Sequence, residues 1–122
     1  MREIKFRGKT TKYGFVEGCL IYCKKHPEKP IIQSTDCESP LVVTSYYIDP
    51  KTIGEYLGRN DKHNNEIYEG DFVKDQNGST WEVKFNDEHP YWIPFVFPLN
   101  EAPELFEVVG NKWHNPELAK EV

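Results

Sequence analysis

The chain has 122 residues, of which 38% are hydrophobic and 29% are charged, a composition that suits a soluble globular protein and excludes a disordered one. Its formal net charge is −5, and residues 51–122 carry 14 Asp and Glu against 7 Lys and Arg, which argues against nucleic-acid binding by that part. No apolar run approaches the roughly 18 residues that cross a bilayer, and no signal peptide is recognisable, so we expect a cytoplasmic protein without membrane contact.

The first half of the chain reads as a series of short strands. Ile4 and Phe6 alternate with charged residues, and turn residues recur roughly every 8 to 12 positions, the spacing typical of all-β folds. We therefore expect an irregular β-sheet region over residues 1–58. Its strands are predicted at residues 3–9, 15–24, 30–33, 41–48 and 52–57, with a loop at residues 25–30.

Positive charge is concentrated near the N-terminus, at Arg2, Lys5, Arg7 and Lys9. Clustered cations can replace the counterions around phosphates, so these four side chains are candidate nucleic-acid contacts. The solvated face of a strand with an apolar opposite face produces the same pattern, and we favour that interpretation. Nucleic acid is therefore the alternative partner of this chain.

A zinc site is suggested by three thiols and one imidazole within 19 residues: Cys19, Cys23, His26 and Cys37. Cys19 and Cys23 fall in a predicted strand, where four residues span about 13 Å. They could not share one zinc ion, whose sulfur ligands lie about 2.3 Å away. We expect no metal and no cofactor, and reduced cysteines that act as small buried apolar residues.

The run from Asp49 to Val73, DPKTIGEYLGRNDKHNNEIYEGDFV, resembles the signature of the YopX family, small proteins encoded by phages and prophages. The matching positions are Thr52, Ile53, Gly54, Tyr56, Gly58, Asp61, Lys62 and the block from Glu66 to Asp71. Segments at residues 2–9, 108–111 and 115–118 agree in order. The resemblance implies a phage or prophage protein in a bacterial host cytoplasm, and it brings no established biochemical activity.

One loop departs from the family, which usually has Asn-Gly where this chain has His63-Asn64. Asn tolerates the left-handed backbone better than other non-glycine residues, so Asn64 can hold the same turn. A calcium loop is rejected because the required glycine and terminal glutamate are missing. Asp61, Asn64, Gly70 and Asp71 are interpreted as structural turn residues, and we expect Asp71 to bind backbone N–H groups at the kink.

The C-terminal part shows the pattern of a small barrel. A strand interrupted at Gly70-Asp71 is followed by a hairpin turn at residues 76–79, where Asn-Gly suits positive φ angles. An alternating strand at 80–86 and apolar strands at 91–99 and 106–109 come next. This succession resembles an SH3-like β-barrel, which the family resemblance implies for residues 59–122, in one compact unit with the first region. Asn115 as cap and Pro116 predict one short C-terminal helix.

The apolar segment at residues 91–97 is the best candidate for a working surface. Pro94 cannot donate a backbone hydrogen bond, which predicts an edge strand or a bulge, and an exposed apolar edge favours association. The other interpretation is that the N-terminal half covers this face. The candidate interaction residues are Tyr91, Trp92, Pro94, Phe95 and Trp113, although Trp113 is also suited to packing the final helix onto the barrel.

Signatures of catalysis are missing: there is no phosphate loop, no nucleophile elbow and no zinc-protease motif. Glu66, Glu69 and Asp71 lie close together and could act as acid and base if their pKa values were split.

Because the catalytic motifs are missing and Asp71 is expected to stabilise the kink, we expect no enzyme. We expect instead an accessory protein that binds a host or phage protein or assembles as a homo-oligomer. Nucleic-acid binding and an unrecognised enzyme remain the alternatives.

Overall fold

The computed structural model describes residues 4–35, 43–86, 88, 91–96 and 98–122. Strands dominate, and every strand pairing in these segments is antiparallel, which confirms the mainly β class. The chain divides into two compact units, Met1–Glu55 and Tyr56–Val122, whereas the sequence analysis placed the boundary after residue 58. No helix in the described segments is long and apolar enough to span a membrane. Arg2 and Cys37 lie outside the described residues.

The N-terminal unit is built on an antiparallel sheet. Its strands are β1 (Phe6–Lys9), β2 (Phe15–Cys23), β3 (His26–Thr35), β4 (Val43–Tyr47) and the start of β5 (Gly54–Asn60). They pair in the order β4-β3-β2-β1-β5. A 3₁₀ helix, Pro50–Thr52, precedes β5 and is tied to β1 because the Lys9 N–H donates to Thr52 Oγ1 at 2.8 Å.

Residues 26–30 form part of β3, so the loop predicted at residues 25–30 is wrong for all but Lys25, which lies in the turn before the strand. The cause of the error is proline, since Pro27 and Pro30 cannot donate to a sheet ladder. Cys23 pairs with His26 across the turn, and the register between β2 and β3 shifts between Ile21 and Cys23. This irregularity accommodates the prolines within a continuous strand.

One face of the N-terminal sheet forms the core of this unit. Ile32 is fully buried, Ile48 is 6% exposed and Pro30 is buried. Gly8 lies against Ile48 so closely that a Cβ at this position would be 2.6 Å from Ile48 Cδ1. Because successive strand residues point to opposite faces, the alternate residues of β2, β3 and β4 face solvent.

The C-terminal unit contains shorter strands. After β5 come β6 (Glu66–Tyr68), β7 (Asp71–Lys74), β8 (Thr80–Glu82), β9 (Lys84–Asn86), β10 (Tyr91–Ile93) and β11 (Glu107–Asn111). The pairings are β11-β7-β8, β10-β9 and β5-β6. These described strands do not close into a barrel, so the SH3-like barrel expected from the resemblance is not confirmed.

Two local features separate these groups of strands. The alternating segment predicted as one strand at 80–86 breaks at Val83, whose N–H donates to Asp71 O at 2.8 Å and whose O accepts from Gly70 N. The apolar strand predicted at 91–99 ends at Ile93, because Pro94 has no N–H to donate to a ladder.

The core of the C-terminal unit is a cluster of apolar side chains from most of its elements. Phe95 and Phe106 pack edge to face with ring centroids 4.8 Å apart. Trp81, Trp92, Leu99 and Val108 pack against this cluster while remaining half-buried. The fully or nearly buried members are Leu57, Ile67, Val73, Val83, Phe95 and Phe106.

The hairpin turn and the chain end both differ in detail from their predictions. Among the residues of the hairpin turn, Gly78 has a positive φ but Asn77 does not, because Asp75 Oδ1 accepts from the Asn77 and Ser79 N–H groups. The predicted C-terminal helix is a 3₁₀ helix, Pro116–Glu121. Asn115 precedes it without a side-chain cap bond, since Asn115 Oδ1 accepts from Asn111 N–H instead.

Candidate functional site

Asp61 is a buried carboxylate that organises the loop between β5 and β6. Its Oδ1 accepts from the N–H groups of His63 and Asn65 at 2.9 and 2.8 Å, and its Oδ2 accepts from Val108 N–H at 2.9 Å. Burial by itself raises the pKa of this carboxyl, but the hydrogen bonds from Val108, Asn65 and His63 outweigh burial and lower it. Asp61 therefore links the loop to β11, and both of its oxygens are engaged within the protein.

The other turn residues serve the same structural purpose. Asn64 has a φ of 65°, the left-handed conformation that the sequence required of it. Asp71 is 1% exposed, and its Oδ2 accepts from Tyr68 N–H at 2.8 Å. Gly70 has a φ of 93°, and a Cβ there would lie 2.4 Å from the Trp113 ring. Trp113 thus packs on the Gly70 backbone, and this contact requires glycine.

The predicted interaction residues around Trp92 are only partly at the surface. Pro94 is buried and Phe95 is 3% exposed within the core, so these two residues cannot form a contact surface. Trp92 is half-buried and packs edge to face on Phe85, which is 38% exposed, with ring centroids 5.1 Å apart. Tyr91 Oη accepts from Asn86 Nδ2 at 2.7 Å. What remains at this hairpin is a small apolar patch.

The basic residues of the first strand are not a free cationic surface. Lys5, Arg7 and Lys9 are all half-buried. The Arg7 guanidinium lies 4.9 Å from the centre of the Phe15 ring, and Glu17 stands directly opposite Arg7 on β2. β1 is also an interior strand, paired on both sides. These contacts favour the interpretation of β1 as a sheet strand over that of a phosphate-binding arm.

Two of the three acidic residues considered for an enzyme, Glu66 and Asp71, are engaged in hydrogen bonds. Glu66 Oε1 accepts from Tyr68 Oη at 3.0 Å, and Asp71 is buried at the kink instead of projecting to solvent. Cys19 and Cys23 are exposed, so the expectation of buried cysteines is wrong for both. Within the described residues no group of three or more His, Cys, Asp or Glu side chains could hold a metal ion.

A row of accessible apolar residues lies on the N-terminal sheet, where the sequence analysis placed none. Ile21 stands opposite Ile31, and Ile31 stands opposite Tyr47, so the three residues form one row across β2, β3 and β4. Ile21 is 38% exposed, Ile31 is half-buried and Tyr47 is 70% exposed. We call this set the exposed row. Its members lie far apart in sequence, and only the strand register reveals it.

A surface pocket adjoins the end of the exposed row. It has a volume of about 320 Å³ and is lined by Glu28, Lys29, Tyr47 and Ile48. Tyr47 and Ile48 are consecutive residues that point to opposite faces of the sheet, so a pocket touching both lies at the margin of β4. The lining combines two residues with large apolar surfaces, Tyr47 and Ile48, with one acidic and one basic residue.

The family model for the YopX protein matches residues 5–120, nearly the whole chain. The chain belongs to the YopX family. No curated protein matches it. The YopX signature, which the sequence analysis located between residues 49 and 73, includes the internally bonded Asp61, Gly70 and Asp71, whereas the exposed row lies outside that run. These three signature residues make contacts within the C-terminal unit.

Proposed function

We propose that this YopX-family chain is a phage or prophage accessory protein that acts in the bacterial cytoplasm by binding another protein, without catalysis. The observation that carries the proposal is the exposed row of Ile21, Ile31 and Tyr47. A sheet face exposing aligned apolar side chains is stabilised when a second surface covers it, because apolar area is removed from water. A second copy of the chain, giving a homo-oligomer, is one partner that meets this requirement.

The chemistry of the exposed row favours a protein over a nucleic acid. Its residues carry no charge, and two of the predicted nucleic-acid contacts, Arg7 and Lys9, are half-buried on β1; the exposed cations near the row are Lys24, Lys25 and Lys29. Phosphate binding needs accessible cations and gives a steep dependence on salt. Contact through isoleucine and tyrosine predicts weak dependence on salt and strong dependence on side-chain area.

The test is affinity capture of the tagged full chain from prophage-bearing or infected cells, with and without nuclease. Ile21→Lys and Tyr47→Ser place polar groups in the exposed row at positions that are already accessible, so we expect the fold to be retained, and circular dichroism checks it. Tyr13→Ser is the matched control, because Tyr13 is 64% exposed but lies in the turn between β1 and β2.

A protein recovered in fixed ratio with the unchanged chain and with Tyr13→Ser, but lost with both row variants, supports the proposal. A size measurement on the purified variants applies the same comparison to self-assembly. Recovery that is unaffected by the row variants contradicts the proposal. Recovery that disappears with nuclease replaces it with the nucleic-acid alternative.

A further inference from the structure

Along β4, residues whose backbone N–H and C=O groups face β3 alternate with residues whose groups point to the outer edge. The Ile48 N–H donates to Pro30 O at 3.2 Å, so residue 48 directs its backbone groups toward β3. In an antiparallel pair such positions alternate with positions whose N–H and C=O point away. The register of β3 with β4 therefore directs Tyr46 toward β3 and Ser45 and Tyr47 outward.

This edge lacks the devices that usually prevent strand addition. β4 reads VTSYY, without a charge, a proline or a glycine. Edge strands in soluble proteins are normally protected by lysine, by proline or by a bulge, and the register of β4 with β3 is continuous. Among the described residues no strand pairs with the outer side of β4.

We propose that the β4 edge binds an extended segment of a partner protein as an added β-strand. The reason is chemical: outward N–H and C=O groups at every second residue are matched in spacing and polarity by another extended backbone, not by a nucleic acid or a lipid. This inference rests on the proposed function, for which it names the mode of binding.

The composition of β4 specifies the centre of the added segment. β4 itself is uncharged, so the segment is selected by main-chain hydrogen bonds and by apolar contacts.

The first experiment uses a synthetic probe of about nine residues, with alternating valine and threonine between aspartates, added to the full chain. Amide hydrogen exchange is followed by NMR. In the free protein we expect fast exchange at Ser45 and Tyr47 and slow exchange at Tyr46. Saturation with the probe is expected to slow Ser45 and Tyr47 by about tenfold or more and to leave Tyr46 nearly unchanged.

Two matched probes isolate the mechanism. A peptide with proline at its centre loses one N–H and is expected to bind about tenfold more weakly. A peptide with lysine in place of each aspartate is expected to bind about equally well, because β4 carries no charge. Equal binding of the proline peptide, or unchanged exchange at Ser45 and Tyr47, overturns the inference. Slowing of these amides by an oligothymidine instead of the peptide also overturns it.

Protein variants separate this inference from the proposed function. Ser45→Pro removes an outward N–H, and Ser45→Ala is its control; circular dichroism and thermal unfolding establish that each variant is folded. Loss of probe binding with proline but not with alanine supports strand addition. If the row variants abolish partner capture while the probe leaves Ser45 exchange unchanged, strand addition is wrong and the proposed function stands. If the row variants leave partner capture intact while the probe slows exchange at Ser45, the proposal that the exposed row binds the partner is wrong, and strand addition at the β4 edge is supported.

Discussion

The two units of this chain treat their polar and apolar groups differently. In the C-terminal unit, Asp61, Asp71 and Trp113 are used internally, and a cluster centred on Phe106 forms the core. In the N-terminal unit, the row ending at Tyr47 is left exposed, and the outer edge of β4 has no strand beside it among the described residues. The comparison teaches that the signature residues Asp61 and Asp71 are engaged in internal contacts, while the exposed row lies outside the signature.

The largest contrast is expected between one aromatic residue from each unit. Phe106→Ala removes a fully buried ring and should lower the free energy of unfolding by about 4 kcal/mol. Tyr47→Ala removes an exposed ring and should change it by less than about 0.5 kcal/mol. Urea denaturation monitored by fluorescence measures both. Similar losses in the two variants would show that Tyr47 is a core residue and would remove the contrast between the units.

Two glycines with similar positive φ angles, Gly70 and Gly78, separate the effect of internal packing from that of backbone strain. Gly70→Ala combines a positive φ with a clash against Trp113 and should cost about 3 kcal/mol. Gly78→Ala is the matched control, because its φ of 84° is similar but no atom lies within 4 Å of the added Cβ. We expect about 1 kcal/mol for the control. Equal losses, measured by urea denaturation, would mean that Trp113 moves aside freely and that backbone strain alone requires glycine.

The carboxyl of Asp61 makes stability depend on pH. Its pKa in the folded protein is lowered, because the hydrogen bonds from Val108, Asn65 and His63 outweigh burial. A carboxyl whose pKa is lower in the folded protein than in the unfolded chain stabilises the fold at pH values above its unfolded pKa, about 3.9. This stabilisation is lost as the pH falls through the pKa of the folded protein. When the pH is lowered below about 4, we expect the free energy of unfolding to decrease. The decrease should be less steep in Asp61→Asn. An identical pH profile in the variant would assign the acid sensitivity to other groups.

The smallest effect is expected at the surface of the C-terminal unit. Arg59 and Glu104 form a two-pronged ion pair, with Arg59 Nε donating to Glu104 Oε1 at 2.8 Å, but both side chains are about half exposed. Glu104→Gln should therefore cost less than about 1 kcal/mol, and the difference should shrink at high salt. A loss as large as that of Gly70→Ala would show that this pair supports the core.

The sequence anticipated interactions that depend on neighbours along the chain. The left-handed turn at Asn64 and the bond from Tyr68 to Asp71 follow from local conformational preferences, and the structure shows both. The predictions that failed concerned residues whose role depends on contacts with distant parts of the chain. Pro27 and Pro30 suggested a loop, yet a shift of register accommodates them in a strand. Phe95 suggested an exposed edge, yet it packs on Phe106.

By itself the sequence determined the mainly β class, the chemistry of the turns and the membership of a family, because alternation, turn residues and motifs are written in neighbouring positions. Only the tertiary structure decided which apolar residues face solvent. Ile21, Ile31 and Tyr47 become neighbours through the register of three strands. The hydrogen bond from Ile48 to Pro30 fixes which residues of β4 face β3, and by alternation the backbone groups of Ser45 point outward. A single-residue shift of register would reverse both assignments, and register is fixed by packing across the whole sheet.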